Sequence, residues 1–163
     1  MTLVISQKAK ISPLADIEDS VRGSRIVIES DAVIDAFVKI KPAGGDGDVI
    51  IGRDTIINSG TVIYSGNGVR LGAHVRVAAN CTFAATNHAV AKRGTLIRDQ
   101  GFQPSRGGIL VEDDVWIGAG CVILDGAILR QGCVIGAGAV VRGEVTAYSI
   151  QAGSPLRQIG MRK

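Results

Sequence analysis

Aromatic residues make up only 4% of this 163-residue chain, and proline occurs four times. A sandwich or helical bundle fills its interior with large side chains, so so few aromatics speak against both. Long apolar runs are also missing. No stretch of 18 apolar residues occurs, which excludes a membrane-spanning helix of the usual kind. The opening MTLVISQKAKISPLAD has no apolar secretory core, so a soluble, cytoplasmic protein without membrane insertion is expected. Charge of one sign is scarce too. The net charge is +3 with acids and bases interspersed, and no basic run is interleaved with aromatics as a nucleic-acid surface requires. The three cysteines form no CxxC pair. Two histidines fall short of the three protein ligands of a catalytic zinc site, so no metal is expected.

What the chain does have is glycine, 22 residues of it, and a period. Val111, Ile117, Ile123, Leu129, Ile135, Val141 and Ala147 follow one another at every sixth position. An α-helix repeats near 3.6 residues and a strand at 2, so a sustained six describes a coil rebuilt from short strands and turns. Gly118 and Gly136 directly follow inward residues, and small residues (Cys121, Ala127, Cys133, Ala139, Val145) stand four places after them, where corners leave little room. Three hexads close an 18-residue triangular coil, and stacked coils bury one continuous aliphatic core.

The same frame recurs upstream. Ile28, Ile34 and Ile40 share one register; Ile51, Ile57 and Ile63 share another, after the turn-rich segment 41–48; Leu71, Val77 and Phe83 share a third. Ile5, Ile11 and Ile17 keep the spacing more weakly, which predicts an irregular capping coil. About six coils at ~4.8 Å per coil give a prism near ~30 Å long. One all-β domain over residues 1–163 accounts for the chain, with a tail from 148 to 163. Coils of this kind are expected to wind left-handed, against the usual right-handed crossover rule.

The frame is lost between Phe83 and Ile109. Interruptions this long in a compact fold are commonly functional, and residues 84–108 begin Ala-Ala-Thr-Asn-His88. A histidine at the root of a loop extruded from a rigid coil is a candidate catalytic group. His74, three places after Leu71, reads as an ordinary surface histidine. Cys81, Cys121 and Cys133 all occupy the small corner slot and read as structural thiols.

Four segments in order carry a family resemblance: Thr86-Asn-His88, Leu96-Ile-Arg-Asp-Gln-Gly101, Val111-Glu-Asp-Asp-Val-Trp-Ile-Gly-Ala-Gly120, and Ala152-Gly-Ser-Pro-Leu-Arg157. Over about residues 49 to 160 the chain resembles the hexapeptide-repeat acyltransferases, a left-handed parallel β-helix family. It is most similar to the branch holding galactoside and maltose acetyltransferases and polysaccharide-associated sugar O-acetyltransferases. The resemblance implies an acetyl-CoA-dependent O-acetyltransferase acting on a sugar or glycan precursor in cell-surface polysaccharide biosynthesis, built as a homotrimer with active sites between subunits.

By match to the family's motifs, His88 is the expected general base. A sugar hydroxyl is a poor nucleophile at neutral pH, and an imidazole titrating near about 6.5 can take its proton during attack on the thioester. Asn58, Asn87, Gln100 and Trp116 are the expected acceptor contacts. Trp116, Ala119, Ala137, Arg142 and Arg157 are the expected contacts of acetyl-CoA, the acyl donor. Two departures bear on substrate choice. Gly143 stands where the family often has lysine, which weakens the expected phosphate contacts. The helical N-terminal segment of the galactoside and maltose enzymes has no counterpart, which shifts the expected acceptor toward a glycan unit, a lipid-linked sugar or a nucleotide sugar. Rival readings are N-acetylation of a nucleotide-linked amino sugar, O-acetylation of an antibiotic, and a non-catalytic β-helix scaffold.

Overall fold

The structure, a computed structural model, describes residues 2–163. Strands of two to four residues stack in parallel on three faces, one strand per face per coil. The first face holds Leu3–Ile5, Ile26–Ile28, Val49–Ile51, Val69–Leu71, Ile109–Val111, Ile128–Leu129 and Glu144–Val145. The second holds Lys10–Ile11, Val33–Ile34, Ile56–Ile57, Arg76–Val77, Trp116–Ile117, Val134–Ile135 and Ser149–Ala152. The third holds Asp16–Ile17, Lys39–Lys41, Val62–Tyr64, Thr82–Ala84, Val122–Leu124 and Val140–Val141. Six coils are complete, and the seventh has lost its third side.

The hexad residues line the interior in register. Ile51, Leu71, Val111 and Leu129 pair in one column, Ile57, Val77, Ile117 and Ile135 in a second, and Ile63, Phe83, Ile123 and Val141 in the third. All are buried. Each such side chain contributes roughly 1.5–3 kcal/mol by leaving water. A strand of two residues is too short to stand alone, so these columns are what hold the coils together.

Corners obey a second rule. The third residue after the inward one takes a left-handed backbone conformation at Asp54, His74 and Asp114 on one edge, and at Gly60, Asn80, Gly120 and Gly138 on the next. Asn and Asp tolerate that region better than other side-chain-bearing residues. His74 therefore occupies a corner, where its Nδ1 lies 2.8 Å from Asp54 Oδ2 of the coil before. It is a surface residue with a structural partner. Gly118 is required for a different reason: a Cβ there would lie 2.6 Å from Ala137 N.

The buried corner slot is closed by hydrogen bonds between coils. Thr61 Oγ1 donates to Ala78 O at 3.3 Å, Cys81 Sγ to Gly118 O at 3.2 Å and Cys121 Sγ to Gly136 O at 3.2 Å. The thiols thus do a hydroxyl's work at equivalent positions. All three cysteines are free and buried.

Two expectations are corrected. Ala147 does not continue the column: it is half-buried, while Val145 is buried and pairs with Leu129. The segment between Val141 and Val145 is shorter than a hexad, so the frame jumps as the coil ends. The first coil is not irregular, because Leu3, Val4 and Ile5 pair in register with Ile26, Val27 and Ile28. It lies at the end of the stack, which leaves its inward residues partly open to solvent. The tail from 148 to 163 packs against the prism. Arg157–Met161 folds back antiparallel on Ser149–Ala152, and Arg162 Nη1 reaches Asp114 Oδ2 at 2.9 Å.

Candidate active site

The interruption from residue 84 to 108 leaves the prism at the corner between the third and first faces and folds as a built arm. Its neck is a short antiparallel pairing: Ala89 N donates to Gly101 O at 3.0 Å, Gln103 N donates to Asn87 O at 2.8 Å, and His88 bridges to Phe102 between them. Its tip carries a single 3-10 turn, Ile97–Asp99. Gln100 closes that tip from inside. Its Nε2 donates to Lys92 O at 3.0 Å and Thr95 O at 2.8 Å, while its Oε1 accepts from Lys92 N at 2.9 Å.

The arm is tied to the prism by Asp125, which is 4% exposed. Asp125 Oδ2 accepts from Arg106 N at 3.0 Å and from Asn67 Nδ2 at 3.1 Å, and Oδ1 accepts from Gly108 N at 2.9 Å. Its own N–H donates to Ala84 O at 3.0 Å. One residue therefore holds both the entry and the exit of the arm. A buried carboxylate is costly unless its oxygens are satisfied, and three donors satisfy this one.

His88 projects from the neck into solvent beside Phe102, with ring centroids 4.9 Å apart and planes tilted by 39°. Among the described residues no side chain hydrogen-bonds either ring nitrogen, so Phe102 sets the ring's position. The imidazole faces a cleft of about 290 Å³ lined also by Asn87, Gln103, Arg106, Asp125 and Arg142. Arg142 further borders a groove of about 490 Å³ with Val140, Ser154, Pro155 and Leu156. The cleft and the groove share this arginine.

Of the residues singled out from the sequence, the structure brings His88, Asn87 and Arg142 to one cleft. The others lie apart in this protomer. Asn58 follows the second-face strand Ile56–Ile57, and its Nδ2 donates to Val77 O at 2.8 Å. Ala119 and Ala137 are exposed in adjacent coils along the corner between the second and third faces, where Gly138 N donates to Ala119 O at 2.8 Å. Trp116 stands outward on the second face, 54% exposed, between Arg76 and Val134. In a triangular prism that face is opposite the corner carrying His88. Arg157 is exposed on the C-terminal hairpin beside the groove residue Leu156.

Phe102, Arg106, Asn67 and Asp125 were not picked out by motif or period. Asp125 had left a trace. It lies two places after inward Ile123, where the coils before it carry Ala85 and Ser65, so an acid there broke a pattern of small residues. Phe102 and Arg106 left none, because an arm outside the hexad frame has no register to break.

Comparison with known proteins agrees with this architecture. Residues 108–143 match the family model described as bacterial transferase hexapeptide (six repeats). No curated protein matches the chain by sequence. Among solved structures, the S84A mutant of AntD, an N-acyltransferase from Bacillus cereus, in complex with dTDP-4-amino-4,6-dideoxyglucose and coenzyme A, matches at 23% identity with a TM-score of 0.82, over 99% of this chain and 84% of that one. The hexapeptide-repeat acetyltransferase VCA0836 from Vibrio cholerae O1 biovar eltor, complexed with acetyl coenzyme A, matches at 21% identity and TM-score 0.66, over 99% and 72%. A maltose O-acetyltransferase from Clostridium difficile 630 matches at 18% identity and TM-score 0.67, over 99% and 71%. The fold is the left-handed parallel β-helix of the hexapeptide-repeat transferases.

Proposed function

We propose that this protein is an acetyl-CoA-dependent acetyltransferase that moves an acetyl group to a hydroxyl of a sugar or glycan precursor in cell-surface polysaccharide assembly, with His88 as general base. The observation that carries the reading is the placement of His88: an accessible imidazole on a braced neck, facing a cleft that shares Arg142 with the groove beside the C-terminal hairpin. Acetyl-CoA fits that groove, with its thioester toward His88 and its phosphates toward Arg157. The acceptor hydroxyl loses its proton to His88 as its oxygen attacks the thioester carbonyl, and the CoA thiolate departs. Asn87 beside the base is the acceptor contact nearest the reaction.

Trp116, Asn58, Ala119 and Ala137 join this site only if a neighbouring copy supplies them, because they lie on the far side of their own prism. A homotrimer with sites between subunits meets that need. The related structures support the donor: VCA0836 is complexed with acetyl coenzyme A, and AntD with coenzyme A and a dTDP-linked amino sugar.

The test is acceptor-dependent release of CoA thiol from acetyl-CoA, wild type against His88→Ala. Hydroxyl sugars releasing thiol only with His88 intact support the reading. A second reading, N-acetylation of a nucleotide-linked amino sugar, is favoured by the unpartnered imidazole, since an amine needs less help from a base. Amino sugars then release thiol, and His88→Ala spares much of the rate at high pH. Absence of acetyl-CoA binding would leave a scaffold role.

A further inference from the structure

We infer that the acceptor carries an anionic group, a carboxylate or a phosphate, beside the hydroxyl to be acetylated, and that Arg106 is the residue that selects it. The inference rests on the acetyltransferase reading for the word acceptor, and on the His88 cleft itself for the charge.

Arg106 and Arg142 both line that cleft, and among the described residues neither guanidinium has a carboxylate within ion-pair distance. The one carboxylate in the cleft offsets one of these two charges but pairs with neither guanidinium, which leaves the cleft with an excess positive charge. Asp125 is buried, and its oxygens are taken by Arg106 N, Asn67 Nδ2 and Gly108 N. Among the described residues no other acid lines the space. The remaining polar side chains, Asn87, Gln103 and His88, all include N–H donors.

Arg106 is also held in place. Its backbone N–H is fixed by Asp125, and its side-chain stem lies on Gly126, where a Cβ would stand 2.9 Å from Arg106 Cβ and 3.5 Å from Arg106 Cδ. The glycine leaves room for the stem to lie flat against the coil. A guanidinium with five donors in a planar fork suits a carboxylate or phosphate oxygen pair.

The anion does not come from CoA. Its phosphates are a pantetheine arm away from the thioester, and the thioester must meet His88. A negative group in the cleft that holds the base belongs to the other substrate. Two sources share the chemistry: the carboxylate of a uronic-acid unit, and the phosphate of a phosphorylated or nucleotide-linked sugar.

The experiment uses matched acceptors, galactose, galacturonate, galactose 1-phosphate and UDP-galactose, with wild type and Arg106→Gln. Arg106 is exposed, so the variant should fold, as far-UV circular dichroism checks. Anionic acceptors should show a lower KM than galactose in wild type. Arg106→Gln should raise that KM roughly 10- to 100-fold, the range of hydrogen bonds to charged groups, and raise the KM of galactose far less, so that the preference for anionic acceptors is lost. Preference for galacturonate or for the phosphates then names the source. A second readout needs no turnover. The chain has two histidines, so the His88 imidazole resonance is assignable against His74, and it should shift on adding the anionic sugars but not galactose, in wild type and not in Arg106→Gln. Acceptance of neutral and anionic sugars alike overturns the inference and leaves the acetyltransferase standing. Loss of the anion-dependent shift in the presence of CoA alone also overturns it, by returning the cleft to the donor. If no acceptor releases thiol, the shift still decides the anion question separately.

Discussion

Phe102 faces His88 across a single antiparallel bridge, ring beside ring at 4.9 Å, and no other aromatic ring packs on the imidazole among the described residues. Both residues sit on the neck of the arm, so the imidazole is braced by backbone pairing and packed beside an aromatic ring, and among the described residues no carboxylate hydrogen-bonds it. If His88 is the base proposed above, Phe102→Ala should keep the fold and lower kcat more than it raises KM, because the imidazole remains but loses its bearing. Phe102→Tyr should retain most of the rate. His88→Ala should cost about 10²- to 10⁴-fold in kcat for a hydroxyl acceptor. Steady-state kinetics on the three variants decide this; a Phe102→Ala enzyme with wild-type kcat refutes the positioning role.

Asp125 holds the two ends of the arm together. Asp125→Ala leaves Arg106 N, Gly108 N and Asn67 Nδ2 without their acceptor; a buried donor such as Gly108 N left unpaired costs about 1–3 kcal/mol, and the two part-buried donors cost less. The arm should open before the prism does. Limited proteolysis should cut Asp125→Ala within residues 84–108 while the wild type resists, and the proposed acetyltransferase activity should fall with it.

The cysteines should be silent. Burial pushes the Cys133 thiol up to about 12, and Cys81 and Cys121 point at carbonyls of neighbouring coils. No thiol should react with Ellman's reagent in the native protein, and all three should react in guanidinium. Turnover should survive pretreatment with the reagent. A rapidly titrating thiol in the folded state contradicts the packing described.

Stability should decline in acid. Glu112 is held below the usual carboxylate range by the Arg130 guanidinium, which reaches it at 2.8 Å and Glu144 at 2.8 Å. Glu18 is lowered by Lys39 and Lys41, and Asp48 by Arg25. Each folded-state value lies below the unfolded one, so their stabilisation is present above the ordinary carboxylate range near about 4 and is lost as pH falls through the depressed values. These pairs are largely solvent-exposed, so each is worth little. Thermal melts should show a flat Tm from neutral pH down to about 5 and a fall below it. Glu112→Gln should lower Tm at neutral pH and narrow its gap to wild type in acid; a gap independent of pH counts against the ion pair.

The period of six by itself determined the prism. A strict repeat leaves only one way to bury a residue at every sixth position, so Ile57, Val77 and Ile117 are legible as core, and Cys81 and Cys121 as corner residues, in the sequence alone. The place of the arm was legible for the same reason: where the frame stops, the coil cannot continue. What happens inside the arm was not. The pairing of His88 with Phe102, the capture of Arg106 N and Gly108 N by Asp125, and the use of Gln100 as the clasp of the tip depend on contacts between residues with no common register. At Ala147 the period points past the end of the prism, because a period predicts its own continuation and carries no signal of where a coil runs out of neighbours. Only the tertiary structure put Trp116 on the face opposite His88. Which face a residue occupies follows from the coil, but what two faces do together depends on how chains pack side by side.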